Sequence, residues 1–142
     1  MIDSIEARLR GTMPQLRTVA GAVEFAALQA PPLPAKLPAA YVMPVADEAA
    51  PNSLASMLHR QVLTATIRVA LITRDLRDTR GDAALTTLDA LRRGLRQALA
   101  GWTPPGARSA LELRRGALLD FQDGTLTWAE DFSCTENLEV AP

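Results

Sequence analysis

The segment QVLTATIRVALIT, residues 61–73, constrains this chain more than any other. Successive side chains of a strand point to opposite faces, so Leu63, Ala65, Ile67, Val69 and Leu71 form one apolar face. The other face carries Val62, Thr64, Thr66, Arg68, Ala70 and Ile72, a mixture that is neither dry nor fully wet. Its apolar face is expected to pack against the leucine stripe of a later helix, at the centre of the core. What the mixed face meets is then the functional question.

The neighbours are read from the same periodicities. Residues 2–12 predict a short helix, with Ile2, Ile5 and Leu9 at spacings of three and four, ended by Pro14. Residues 16–21 read as a short strand and 22–30 as a strand or a helix, with the helix preferred. PPLPAKLP (31–38) has four prolines in eight residues and reads as an extended strap. AAYVMPV (39–45) reads as a strand ended by Pro44, and ADEAAPNSLAS (46–56) as an exposed loop.

Beyond the long strand, Asp82 is a plausible N-cap for a helix running to about Ala100, with Leu85, Leu88, Leu91, Leu95 and Leu99 as its apolar stripe. Gly101 supplies a left-handed stop. LELRRGALLDFQDGTLTWAEDF (111–132) reads as a hairpin turning at Asp123-Gly124, with Leu126, Trp128 and Phe132 on one face and Gly116 marking a bulge. Residues 133–142 read as a frayed or docking tail. The expected architecture is one α+β domain over 1–142: a twisted mixed or antiparallel sheet of about four to five strands, with helices packed on one face.

Composition removes several function classes. With 15 basic and 16 acidic residues the net charge is −1, which gives no general pull toward nucleic acid. No apolar run reaches the ~18 residues of a membrane span. The start MIDSIEARLRG lacks the profile of a secretory signal, so synthesis in the cytoplasm is expected, and the single cysteine, Cys134, excludes an intrachain disulfide.

The search for chemistry yields little. His59 is the only histidine, so zinc would find one imidazole and one thiolate. The carboxylate pairs Asp75/Asp78 and Glu130/Asp131 read as solvated charge. Arg80-Gly81-Asp82 matches an integrin-binding tripeptide, but Asp82 is already accounted for as a helix cap. Arg92, Arg93 and Arg96 with Arg114 and Arg115 read as a solvated basic face. Trp102 reads as a plug under the helix end, and Trp128 as a residue that needs the helices or another subunit to cover it. No catalytic residue, metal site or cofactor is expected.

The succession LPAAYVMPVAD, QVLTATIRVALIT, RGDAALTTLDALRRGLRQALAGW and LELRRGALLDFQDGTLTWAEDF resembles the tail terminator proteins of long-tailed bacteriophages, particularly those of Mu-like and related prophages. The resemblance implies a small α+β protein that assembles as a ring, usually a hexamer, on the head-proximal end of the tail tube. There it stops tube growth and presents a surface to the head-tail connector. Its partners would be copies of itself, the tube protein and the connector, with no membrane and no specific nucleic acid. A head-to-tail contact repeated about an axis closes when the rotation allows it.

On this reading Thr64, Thr66, Arg68 and Trp128 are candidates for the contact between protomers, with Arg68 reaching a neighbour's carboxylates. Asp47, Glu48 and Asn52 are candidates for contact with tube or connector. The alternatives are a neck ring protein that binds the portal, and an α+β domain that binds or converts a small molecule in an apolar pocket.

Overall fold

A computed structural model describes residues 1–28, 36–54, 58–75 and 82–141. In chain order the elements are α1 (Ile2–Thr12), β1 (Thr18–Gly21), α2 (Ala22–Ala26), β2 (Ala39–Ala49), β3 (His59–Arg74), α3 (Asp82–Leu99), β4 (Glu112–Gln122) and β5 (Thr125–Val140). The strands form one five-stranded sheet in the order β1-β2-β3-β5-β4, parallel only between β1 and β2. This is the α+β architecture expected from the sequence.

β3 is the central strand because its two faces differ as the sequence requires. Ile67, Val69 and Leu71 are at most 2 % exposed and pack with Leu88, Leu91 and Leu95 of α3 and with Ile5 and Leu9 of α1. Burying each such side chain stabilises the fold by about 1.5–3 kcal/mol. Leu63, on the same face, is only half-buried, because the outer end of β3 runs past the helices. On the second face Ala70 and Ile72 join Ala39 and Tyr41 in a smaller apolar cluster. Phe25 of α2 covers that cluster, its ring 5.4 Å from Tyr41.

Several expectations are corrected. β2 does not end at Pro44 but continues to Ala49, with a bulge between Pro44 and Ala46. β1 pairs only as far as Val42, so from Met43 onward β2 is an edge, where a proline without an N–H costs no ladder bond. Residues 46–49 are therefore strand rather than loop. Residues 133–140 are not a tail; they complete β5 and pair with β3 as far as His59↔Val140. Leu85 leaves the helical stripe, 48 % exposed, and Ala84 and Ala98 take buried places on the same helix.

The hairpin turn lies where expected, with Asp123 at φ 52° and Gly124 at φ 77°, the left-handed pair that a two-residue turn of this kind needs. Gly116 is not at a bulge. The register shifts flank it, at Leu113/Arg115 and Leu118/Asp120. A Cβ at Gly116 would lie 3.0 Å from Trp128 Cζ2 and 3.1 Å from Glu130 Oε2, and that close approach accounts for the glycine. The strap at 31–35, and Asp78, Arg80 and Gly81, lie outside the described residues.

Candidate interaction surfaces

The residues singled out for chemistry are dispersed. His59 Nε2 is 2.6 Å from Gln61 Oε1. Cys134 sits opposite Ala65, six positions along β3 from His59, a separation of about 20 Å at strand rise. Cys134 is 3 % exposed with its Sγ 3.7 Å from Met1 Sδ, and burial pushes its thiol pKa up, so it stays neutral and unreactive. Among the described residues no group of three or more His, Cys, Asp or Glu converges to hold a metal ion, and no helix is long and apolar enough to cross a membrane.

Charge is instead used to join elements. Glu130, which interrupts the apolar alternation of β5, is fully buried. Its Oε1 accepts hydrogen bonds from Arg92 Nε at 2.9 Å, Arg96 Nη2 at 3.0 Å and Trp128 Nε1 at 3.2 Å. The Arg92 guanidinium lies 4.1 Å from the Trp128 ring centroid. Glu130 is thus no solvated charge, and Arg92 and Arg96 do not belong to a purely solvated face. They pin α3 to β5, and Arg92 covers Trp128, which is partly buried against the core. The signal was in the sequence: an acid at a core-facing strand position and two arginines four apart on a helix.

Asp131 is likewise buried. Arg68 donates to it in a fork, Nε to Oδ1 at 2.8 Å and Nη2 to Oδ2 at 3.2 Å. That hydrogen bond raises the Arg68 pKa, partly countered by burial, and keeps the guanidinium charged. The carboxylate expected from a neighbouring protomer is therefore supplied by the chain itself. No sequence signal showed this, because the pair depends on the β3–β5 register across 63 residues.

Thr64, Thr66 and Arg68 are brought together as a half-buried strip on the second face, opposite Thr135, Ser133 and Asp131 of β5. Trp128 is not part of it. It lies opposite Leu71, on the helix-covered face.

The second set lies at the outer end of the sheet. Asp47 and Glu48 are exposed on β2, opposite Ala65 and Thr64, and so point to opposite faces. Asn52 has a local role: its Oδ1 accepts from the backbone N–H of Arg60 at 2.9 Å and of Leu54 at 3.2 Å, which ties the connecting turn to the start of β3. Arg60 also pairs with Glu139 at 2.6 Å.

Two further surfaces escaped the sequence reading, since both depend on which strand is at an edge. At the β4 edge, Leu85, Leu118 and Phe121 are 48 %, 53 % and 39 % exposed around a groove of about 280 Å³ floored by Leu126. Beside it α3 presents Asp89, Arg92, Arg93, Arg96 and Gln97 around a second hollow. At the β1 edge, α1, β1 and α2 frame a cleft of about 400 Å³ that includes Asp3, Glu6, Glu24 and Arg10. Val23, on its rim, is 80 % exposed.

Comparison with known proteins gives these surfaces a context. No curated protein sequence matches the chain. A chain in the virion of a native gene transfer agent particle has the same fold, with a TM-score of 0.63 at 14 % identity, covering 97 % of this chain and 95 % of that one. The sequence also matches, over residues 2–141, the family described as phage tail terminator protein. With nearly the whole chain matched, this protein belongs to the phage tail terminator family and is a structural component of a phage-type tail.

Proposed function

We propose that copies of this chain close into a ring on the head-proximal end of a tail tube, stop the addition of tube subunits and present a joining surface to the head connector. The observation that carries the reading is the family match over residues 2–141. The architecture supports it: the polar side chains are spent on joining α3 to β5 and β3 to β5, and the outward features are edges, grooves and strand ends. Such surfaces suit polymer capping, which needs shape and charge at contacts. Assembly takes place in the cytoplasm of the bacterial host, and the ring stays in the virion tail.

Within this reading Trp128 supports, from below, the α3 side of the contact between protomers, and the strip of Thr64, Thr66 and Arg68 lies on the second face of the central strand, away from that contact. Asp47 and Glu48, near the end of β2, face the tube or the connector beside a turn that Asn52 holds in shape. The test is tube growth. Purified chain added in small amount to polymerising tube subunits is expected to shorten the tubes and to be found at one end of each. Tubes of unchanged length, with no chain bound at their ends, would overturn the proposal.

A further inference from the structure

The two edges of the sheet are complementary in chemistry. The α3 hollow is framed by three arginines and one aspartate, and the β1-edge cleft by three carboxylates and Arg10. Arg93 and Asp3 are both exposed, and neither has an ion-pair or hydrogen-bond partner among the described residues. Each surface also carries bare apolar side chains, Leu118 and Phe121 beside the arginines and Val23 beside the acids. Exposed apolar side chains rimmed by charge mark an interaction surface. β1 and β4 are the outermost strands of the five-stranded order, so the two surfaces belong to opposite ends of one molecule. Two different, complementary patches on opposite ends make a head-to-tail contact, which cannot be satisfied within one copy.

We infer that the α3–β4 surface of one copy docks on the α1–β1–α2 cleft of the next, with Arg93 directed at Asp3 and with Leu118 and Phe121 covering Val23. The occupant of each surface is therefore a second copy of this chain. Opposite charge fixes the polarity of the contact and excludes the like-to-like arrangement, since two arginine hollows or two acidic clefts repel. The inference rests on the ring reading and goes beyond it by naming the contact that closes the ring.

The test is a charge swap read by sedimentation velocity and native mass over a range of concentrations, with circular dichroism as the control for folding. Wild-type chain is expected to assemble. Arg93→Asp alone and Asp3→Arg alone are each expected to raise the concentration needed for assembly at least tenfold, with unchanged thermal unfolding. An equimolar mixture of the two single variants should recover assembly, because alternation of the two joins opposite charges at every contact. The double variant, in which every contact again joins opposite charges, should assemble near the wild-type concentration.

If both single variants assemble as wild type does, or if the double variant fails to recover, the contact is wrong while the ring stands. If the variants keep their rings but no longer bind tail tubes, the surfaces belong to the tube protein and the contact is again wrong. A wild-type chain that stays monomeric both alone and on tubes overturns the contact and the ring together.

Discussion

Glu130 shows how a single residue is committed to architecture. A carboxylate with no exposure is tolerable only when cations and hydrogen bonds meet it, and here Arg92, Arg96 and the Trp128 indole do so. Glu130→Gln keeps the shape and leaves two guanidinium groups facing a neutral amide. Because Arg92 and Arg96 are 25 % and 40 % exposed, solvent offsets part of the loss, and we expect a destabilisation of about 2–3 kcal/mol in urea unfolding. A second residue-scale effect concerns alkali. Burial raises the pKa of Cys134, and burial together with the Glu24 charge raises that of Tyr41. Both groups are neutral when protonated, so the unfolded chain loses these protons at lower pH than the folded one. The stability they contribute is full below their ordinary values of 9.0 and 10.0 and falls as pH rises through that range toward the folded values. Denaturation midpoints measured from pH 7 to 11 should decline above about pH 9, and Cys134→Ala should remove the earlier part of the decline.

At the scale of elements, Gly116 on β4 shows that an edge strand is fitted to its neighbour. Alanine would ordinarily favour a strand over glycine, but its Cβ would press on Trp128, which is held by Arg92 above and by its own bond to Glu130. Gly116→Ala is therefore expected to lower stability by about 1 kcal/mol, seen as a reduced thermal midpoint, and Trp128→Phe should relieve part of that loss. The same elements mark what sequence can and cannot disclose. β3, α3 and the Asp123-Gly124 hairpin were legible because their signals are local: alternation, a stripe, a turn dipeptide. The far half of β2 was not, because Pro44 breaks a strand only where both edges are bonded, and nothing in the local sequence says that β1 stops at Val42. The last half of β5 was missed because Glu136 interrupts the face that Cys134, Leu138 and Val140 share, and its pairing is decided by β3 on the other side of the ladder. Leu85 fitted the stripe by spacing but lies over the β4 edge, where no element covers it. The candidate contact residues were legible only in part. Thr64, Thr66 and Arg68 do share a face, whereas the partner of Arg68 and the side on which Trp128 lies depend on register.

At the scale of the whole molecule, the charges divide into those that hold the fold and those that do not. Arg68 belongs to the first group, so Arg68→Glu would set two carboxylates together within the sheet and would confound a loss of self-association with a loss of folding. Asp47 and Glu48 belong to the second: exposed on β2, beyond the helical layer, with no ion pair among the described residues. Removing residues 48–54 would also remove the Asn52 bonds that shape the turn, so substitution is the better probe. Reversing both charges, Asp47→Lys with Glu48→Lys, should change unfolding free energy by less than about 0.5 kcal/mol, the ordinary range for surface positions. Self-association should be untouched, because neither residue lies at the β4 edge or in the β1 cleft. If this end of the sheet meets the tube or the connector, the reversed pair should fail to shorten polymerising tubes while still forming rings. The defect should shrink as salt rises from 50 to 500 mM, since screening over a Debye length of about 10 Å at 0.1 M weakens the new repulsion. Normal capping by the reversed protein would move the contact to another surface and leave the end of β2 without a partner in the tail.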